Sequence, residues 1–231
     1  MIKLMIPGPV PVSEAVLEEM GAPVHAHYGA EWTAIYNETV ALLNQVFKTQ
    51  GDVHILVGSG TSGVDAAIGS MTLPGEKVIV GKNGFFGERI CNIVRAYALD
   101  LVEVDVPLGQ PLEPMLFAQA MDQHPDAGLV AVVHMETSTT VINPIREIGV
   151  EAKARKVPMI VDAVSSLGGI PLDMDAWAID ICTAASQKCL GAPPGLAPVA
   201  VSARAWQIME SKPNRGHGFY LNLETWKRFS E

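Results

Sequence analysis

No apolar run in the 231-residue chain is long enough to cross a bilayer, because glycine, proline or charge interrupts each one well before that length. A cleavable secretory leader is not expected, for the same reason. The opening MIKLMIPGPVPVSE carries a lysine, but Pro7, Pro9 and Pro11 break what would have to be its apolar core. Cysteine is scarce. Cys91, Cys182 and Cys189 are odd in number, far apart and without metal-ligand spacing, which excludes a disulfide framework and fits a reducing compartment. All three are expected to be small buried hydrophobes. Basic excess is also missing. A formal net charge of −9 with no basic cluster argues against a nucleic-acid or anionic-membrane partner, so an anionic ligand would need local geometry to hold it. Internal repeats, low-complexity tracts and interdomain linkers are absent too. What is left is a soluble, cytoplasmic, globular chain: 48% hydrophobic and 18% charged residues are enough to build one large core.

The pattern along the chain is one of alternation. An extended Pro-rich arm leads to a helix that Ser13 can cap, and AIYNETVALLNQVFK (34–48) has helical apolar spacing. From VHILV (53–57) onward, short apolar runs trade places with helical stretches. GSGTSG reads as a turn and VDAAIGSMTL as a helix. KVIVG, LVEVDV, GLVAVVH, VPMIVDA, DICTAA and LAPVAVS read as strands. FGERICNIVRAYA, a segment near 113–123, IREIGVEAKARK and ARAWQIME read as helices. Such alternation implies an α/β fold with a mostly parallel sheet and helices on both faces.

Ligands in open α/β sheets sit at the carboxyl ends of the strands, so the loops there carry the candidates. GSGTSG (58–63) offers backbone N–H groups and hydroxyls at a helix start, an anion site or simply a capped turn. It matches neither the P-loop nor the dinucleotide fingerprint. NGFFGER (83–89) presents two aromatics, for the core or for a planar ligand. HMETSTT (134–140) holds His134, a carboxylate and four hydroxyls, read either as a general base with ligand donors or as a structural histidine with local turns. Asp162 ends VPMIVD and can cap a turn, bind Mg²⁺ or pair with a cationic nitrogen. Lys188 follows another apolar run and is either a solvated lysine or an amine in a pocket.

Together these loops describe a pyridoxal phosphate pocket more specifically than any one of them does. VDAVSSLGGIPLDMDAWAIDICTAASQKCLGAPPGLA resembles the cofactor core of the class V pyridoxal-phosphate aminotransferases, closest to the alanine–glyoxylate and serine–pyruvate group. The likeness runs from IPGPVPVSE through GSGTSG, NGFFGER, HMETSTT and SQKCLGAPPG to GFYLNLETW. It implies the large domain of a fold-type I pyridoxal-phosphate enzyme over residues 21–231, preceded by an arm and short helix over 1–20. By position, Lys188 would form the Schiff base and Asp162 would pair with the pyridine nitrogen. Phe86 would stack on the ring, where relatives often have tryptophan. Ser59, Gly60, Thr61 and Gln187 would contact the phosphate, Thr61 standing where some relatives have histidine. Thr137 would bond near the ring hydroxyl, and the turn at Gly8 would line the substrate side. The implied reaction is ping-pong transfer of an amino group from alanine or serine to a 2-oxo acid such as glyoxylate or pyruvate, in a homodimer, with no metal.

Family members continue into a small C-terminal domain that supplies an arginine for the substrate carboxylate, and a partner loop completes the phosphate site. The chain is therefore expected to be a fragment without that domain. Arg89, Arg204 and Arg215 have no context that marks a replacement. A related lyase or cysteine desulfurase, and an inactive fragment that keeps only the fold, are the alternatives.

Overall fold

The computed structural model describes residues 4–212 and 218–230. In chain order the elements are α1 (Glu14–Met20), α2 (Ala30–Phe47), β1 (Asp52–Val57), α3 (Gly60–Met71), β2 (Lys77–Lys82), α4 (Phe85–Ala96) and β3 (Asp100–Asp105). Then come α5 (Pro114–Gln123), β4 (Ala127–Val133), the two-residue strands β5 (Met135–Glu136) and β6 (Val141–Ile142), α6 (Ile145–Ala154), β7 (Met159–Asp162) and β8 (Ile181–Thr183). β9 (Leu196–Val201), α7 (Ala203–Glu210) and α8 (Leu223–Ser230) complete the order.

Local chemistry sets the boundaries. Ser13 caps α1 by accepting from Val16 N, and Ser202 caps α7 by accepting from Ala205 N at 3.0 Å. Pro114 opens α5, where its missing N–H costs nothing. The run AGLVAVV of β4 is apolar at nearly every position because helices cover both faces of the sheet.

Seven strands form one sheet in the order β1-β9-β8-β7-β4-β2-β3. The pairs from β8 through β7, β4 and β2 to β3 are all parallel. β9 runs against both of its neighbours, so β1 points the same way as β8. The mostly parallel, two-faced α/β fold expected from the alternation is therefore present, with one reversed strand that alternation could not show. Side chains on each strand divide between two cores. Val78, Val80, Leu129 and Val199 meet Ile68, Ile90, Met209 and Leu223 on one face. Ile79, Val130, Val132 and Val161 meet Phe117, Ile148 and Phe47 on the other.

Three expectations are corrected. GSGTSG is not only a turn: α3 begins at Gly60, after an extended Ser59, and a Cβ on Gly63 would lie 3.2 Å from Val199 Cγ2. Small residues here let the first turn of the helix lie close on the sheet. α2 starts at Ala30, earlier than its apolar spacing indicated, and buries only Phe47, leaving Ile35 and Leu42 exposed. Cys91 and Cys182 are buried, but Cys189 is exposed because it sits on the turn beyond β8. No helix among the described residues is long and apolar enough to cross a membrane.

Candidate active site

β1, β2, β4, β7 and β8 all end at the same edge of the sheet, and the loops leaving them converge there. Asp162 is the last residue of β7 and Lys188 lies five residues past β8. A Cβ on Gly60 would come within 3.1 Å of Val164 Cγ1 and 3.2 Å of Ala185 Cβ, so the start of α3 packs between those two loops.

Asp162 is nearly enclosed, at 8% exposure. Its Oδ1 accepts from Val164 N at 2.9 Å, the turn-capping bond expected of a strand-end carboxylate. Burial nevertheless pushes the carboxyl up to about 6. The nearby Glu136 charge acts in the same direction, while Arg89 and Lys188 oppose it. Two carboxylates and two cations thus share this end of the sheet.

Lys188 reaches back to the start of the chain. Its Nζ donates to Pro7 O at 3.1 Å, and Val10 N donates to Gln187 O at 3.0 Å, pinning the arm across the β8 loop. Gly8 lies directly over the amine at φ +146°, where a Cβ would stand 2.6 Å from Nζ. Only glycine both adopts that backbone and leaves the space. Gln187 Oε1 is buried with no partner among the described residues.

The helix starts are linked by Arg89. Its Nη1 donates to Thr61 Oγ1 at 2.8 Å, and its guanidinium lies 4.7 Å from the centre of the Phe86 ring and 5.1 Å from that of Phe85. Ser59 makes no side-chain cap to α3, while its carbonyl accepts from Ser62 Oγ at 2.6 Å. Thr137 Oγ1 donates to Ser165 Oγ at 2.6 Å, which ties the β4 loop to the β7 loop.

The residues named from the sequence therefore gather through these contacts. Gly8, Gln187 and Lys188 form one group and Gly60, Thr61 and Phe86 a second, while Thr137 meets Ser165, three residues past Asp162 in the chain, and Ser59 stands at the head of α3. His134 adjoins Asp162 through the backbone, its N donating to Asp162 O at 2.9 Å, but its ring packs on Trp177. It is 3% exposed, edge-on to Trp177 at 5.8 Å, and burial lowers its pKa to about 4, so it is a neutral packing residue and not a base at neutral pH. Arg204 binds Asp180 and Lys156 O, and Arg215 lies outside the described residues.

Sequence reasoning passed over Glu136, Ser165 and the place of Arg89. Arg89 had a usable signal, since it follows Phe86 by three residues on one helix and must share its face. Glu136 had none, because its partners on α4 are some fifty residues away.

The family model for aminotransferase class-V matches residues 12–227. An uncharacterized aminotransferase of Methanocaldococcus jannaschii is 42% identical over 99% of this chain and 59% of its own length. The crystal structure of ureidoglycine–glyoxylate aminotransferase from Bacillus subtilis superimposes with a TM-score of 0.95 at 28% identity, covering 100% of this chain and 60% of that one. That of alanine–glyoxylate aminotransferase from Nostoc sp. gives 0.94 at 29% identity, covering 98% and 60%. The chain thus spans about three fifths of the length of these relatives.

Proposed function

The chain belongs to the class V aminotransferase family, and from that premise we propose that it holds pyridoxal 5′-phosphate and moves an amino group from a small amino acid, alanine or serine, to a 2-oxo acid such as glyoxylate or pyruvate. The observation that carries this reading is the buried Asp162 carboxylate at the end of β7 with the Lys188 amine, whose charge reaches it, on the loop after the adjacent parallel strand β8. Residues 21–231 act as the cofactor-binding unit, with 1–20 as an arm laid over it. The working form is a cytoplasmic homodimer.

The residues present fit the cofactor. A carboxylate whose pKa burial has pushed up to about 6 is stabilised by a cationic neighbour, and a protonated pyridine nitrogen is one. The orphaned amide oxygen of Gln187 calls for a ligand, or for a half-turn of the amide that aims its NH₂ at a phosphate. The start of α3 supplies unpaired N–H groups beside Ser59, Gly60 and Thr61.

When bound, pyridoxal phosphate supplies an aldehyde carbon that bonds amines and a protonated ring that takes up the electron pair released at the substrate α-carbon. Lys188 would hold the group through Nζ and, once displaced by a substrate amine, would be the base and acid that moves protons. Asp162 would keep the ring nitrogen protonated. Phe86 would pack against the ring, and the Thr137 hydroxyl, now bonded to Ser165, would be available to the ring hydroxyl. Pro7 and Gly8 cover the substrate side and limit water. A second 2-oxo acid runs the sequence backwards, giving ping-pong kinetics.

Visible absorption of the chain with pyridoxal 5′-phosphate, before and after alanine or serine and beside Lys188→Ala, tests the reading. The expected result is a band that requires Lys188 and bleaches with amino acid. A wild-type chain without a Lys188-dependent band refutes it.

A further inference from the structure

Glu136 is fully buried, at 0% exposure, yet faces no cation within ion-pair distance among the described residues. Its side chain is inserted under the start of α4. Oε2 accepts from Phe86 N and Gly87 N, both at 3.0 Å, and Oε1 accepts from Ser138 N at 3.0 Å and Ser138 Oγ at 2.6 Å. Ser138 Oγ in turn accepts from Phe85 N at 2.9 Å, so three consecutive N–H groups of α4 are tied down by one carboxylate and one hydroxyl. Gly84 makes the approach possible, since a Cβ there would overlap Glu136 Cγ and Cδ and crowd Ser138 Oγ at 2.6 Å.

A helix beginning with an exposed Gly needs no such device. The N-cap of α4 is Gly84, which has no side chain to give, and the missing acceptor comes instead from the β5–β6 ribbon fifty residues on. The carboxylate meets donors only, at the positive end of the helix, where an anion is worth most. What it fixes is the backbone of Phe86, whose N is one of its two helix partners, and Arg89, one turn further on, lies against the Phe86 ring and carries the contact to Thr61 and α3. The same ribbon begins two residues after β4, whose neighbour β7 ends in Asp162.

We propose that Glu136 is a positioning residue for the cofactor: a buried anion, supplied by the β5–β6 ribbon, that clamps the first turn of α4 and thereby sets the plane of the Phe86 ring. The proposal rests on the reading of Phe86 as the ring-facing aromatic. Gln at this place keeps size and one acceptor but turns an NH₂ toward N–H donors, which breaks half the clamp without opening a cavity.

The test is a thermodynamic cycle on pyridoxal 5′-phosphate binding with wild type, Glu136→Gln, Phe86→Ala and the double variant, alongside amide hydrogen exchange in the cofactor-free protein. In the wild-type background Glu136→Gln should weaken binding about tenfold, since only part of the cost of the lost hydrogen bonds reaches the cofactor through Phe86. In the Phe86→Ala background the same change should cost less than about twofold, because the residue acts through the ring. The visible circular dichroism of bound cofactor should shift in Glu136→Gln as it does in Phe86→Ala, and the Phe86 and Gly87 amides should exchange faster. Equal losses in both backgrounds, or an unchanged dichroic band, overturn the proposal in favour of a purely structural cap. If Glu136→Gln does not fold, Ser138→Ala carries the same cycle, since it removes one donor from Glu136 and the acceptor of Phe85 N while leaving the carboxylate in place. A wild-type chain that binds no cofactor overturns the cofactor reading. Amide exchange then decides the clamp, with unchanged rates at Phe86 and Gly87 counting against it.

Discussion

Lys188 Nζ donates to the carbonyl of Pro7, joining residues 181 positions apart in the chain at 3.1 Å. The arm is therefore tied to the loop after β8, by this bond and by Val10 N to Gln187 O. A methyl group on Gly8 would sit 2.6 Å from the amine in a backbone region that side chains disfavour. Gly8→Ala should lift the arm and weaken the Lys188-dependent visible band about tenfold, an apparent cost of about 1 to 3 kcal/mol at a strained position. Thermal unfolding should barely move, since the arm contributes little core. Wild-type cofactor binding in Gly8→Ala would show that the arm does not shape the site.

The cofactor-free protein should carry an electrostatic cost at Asp162. Its carboxyl lies at about 6 in the fold against an ordinary 3.8, so the stability it contributes is full below pH 4 and is lost as pH rises through 6. Asp162→Asn keeps the acceptor for Val164 N and removes the charge. Urea unfolding should find this variant more stable than wild type at pH 8, by something on the order of 2 to 3 kcal/mol, with the gap closing below pH 4. A pH-independent difference would mean that the carboxylate is solvated.

Much of this arrangement is written in local sequence. α7 and β9 fall where ARAWQIME and LAPVAVS place them, because Ser202 is a strong cap and the strand carries no polar or charged side chain. Asp162 and Lys188 are legible because each closes an apolar run, and the carboxyl end of a parallel strand is where side chains enter a site. Reversal of β9 is not legible, since a strand's direction depends on its path after the Gly/Pro-rich turn and not on its composition. Nor is the burial of Glu136 beneath α4. A glutamate in a hydroxyl-rich loop looks solvated until the fold brings Phe86 N and Gly87 N to it. The exposed apolar positions of α2 show the opposite failure, where periodicity marks a face without saying what covers it.

His134 should be silent across the physiological range. Burial against Trp177 lowers its pKa from 6.5 to about 4, so it stays neutral until acid forces a proton into the core. Its contribution to stability is present above pH 6.5 and is lost as pH falls toward 4. Imidazole NMR shifts should titrate with a midpoint near 4, and His134→Phe should flatten the acid limb of stability by up to about 3 kcal/mol. A midpoint near 6.5 would place the ring in water.

Arg89 is the cation that ties the site's electrostatics to its geometry. Its guanidinium lies over Phe86, bonds Thr61 and lowers the proton affinity of Asp162. Arg89→Gln removes the charge and should raise the Asp162 midpoint above about 6, as read by carboxyl carbon NMR in the cofactor-free protein. Arg89→Lys keeps the charge but loses the planar fork. It should leave the Asp162 midpoint near wild type while weakening phosphate-dependent cofactor binding about tenfold, through the lost alignment of Thr61 and Phe86. If lysine and glutamine shift Asp162 alike, packing and not charge sets its proton affinity. Arg89 would then serve only as a strut between α3 and α4.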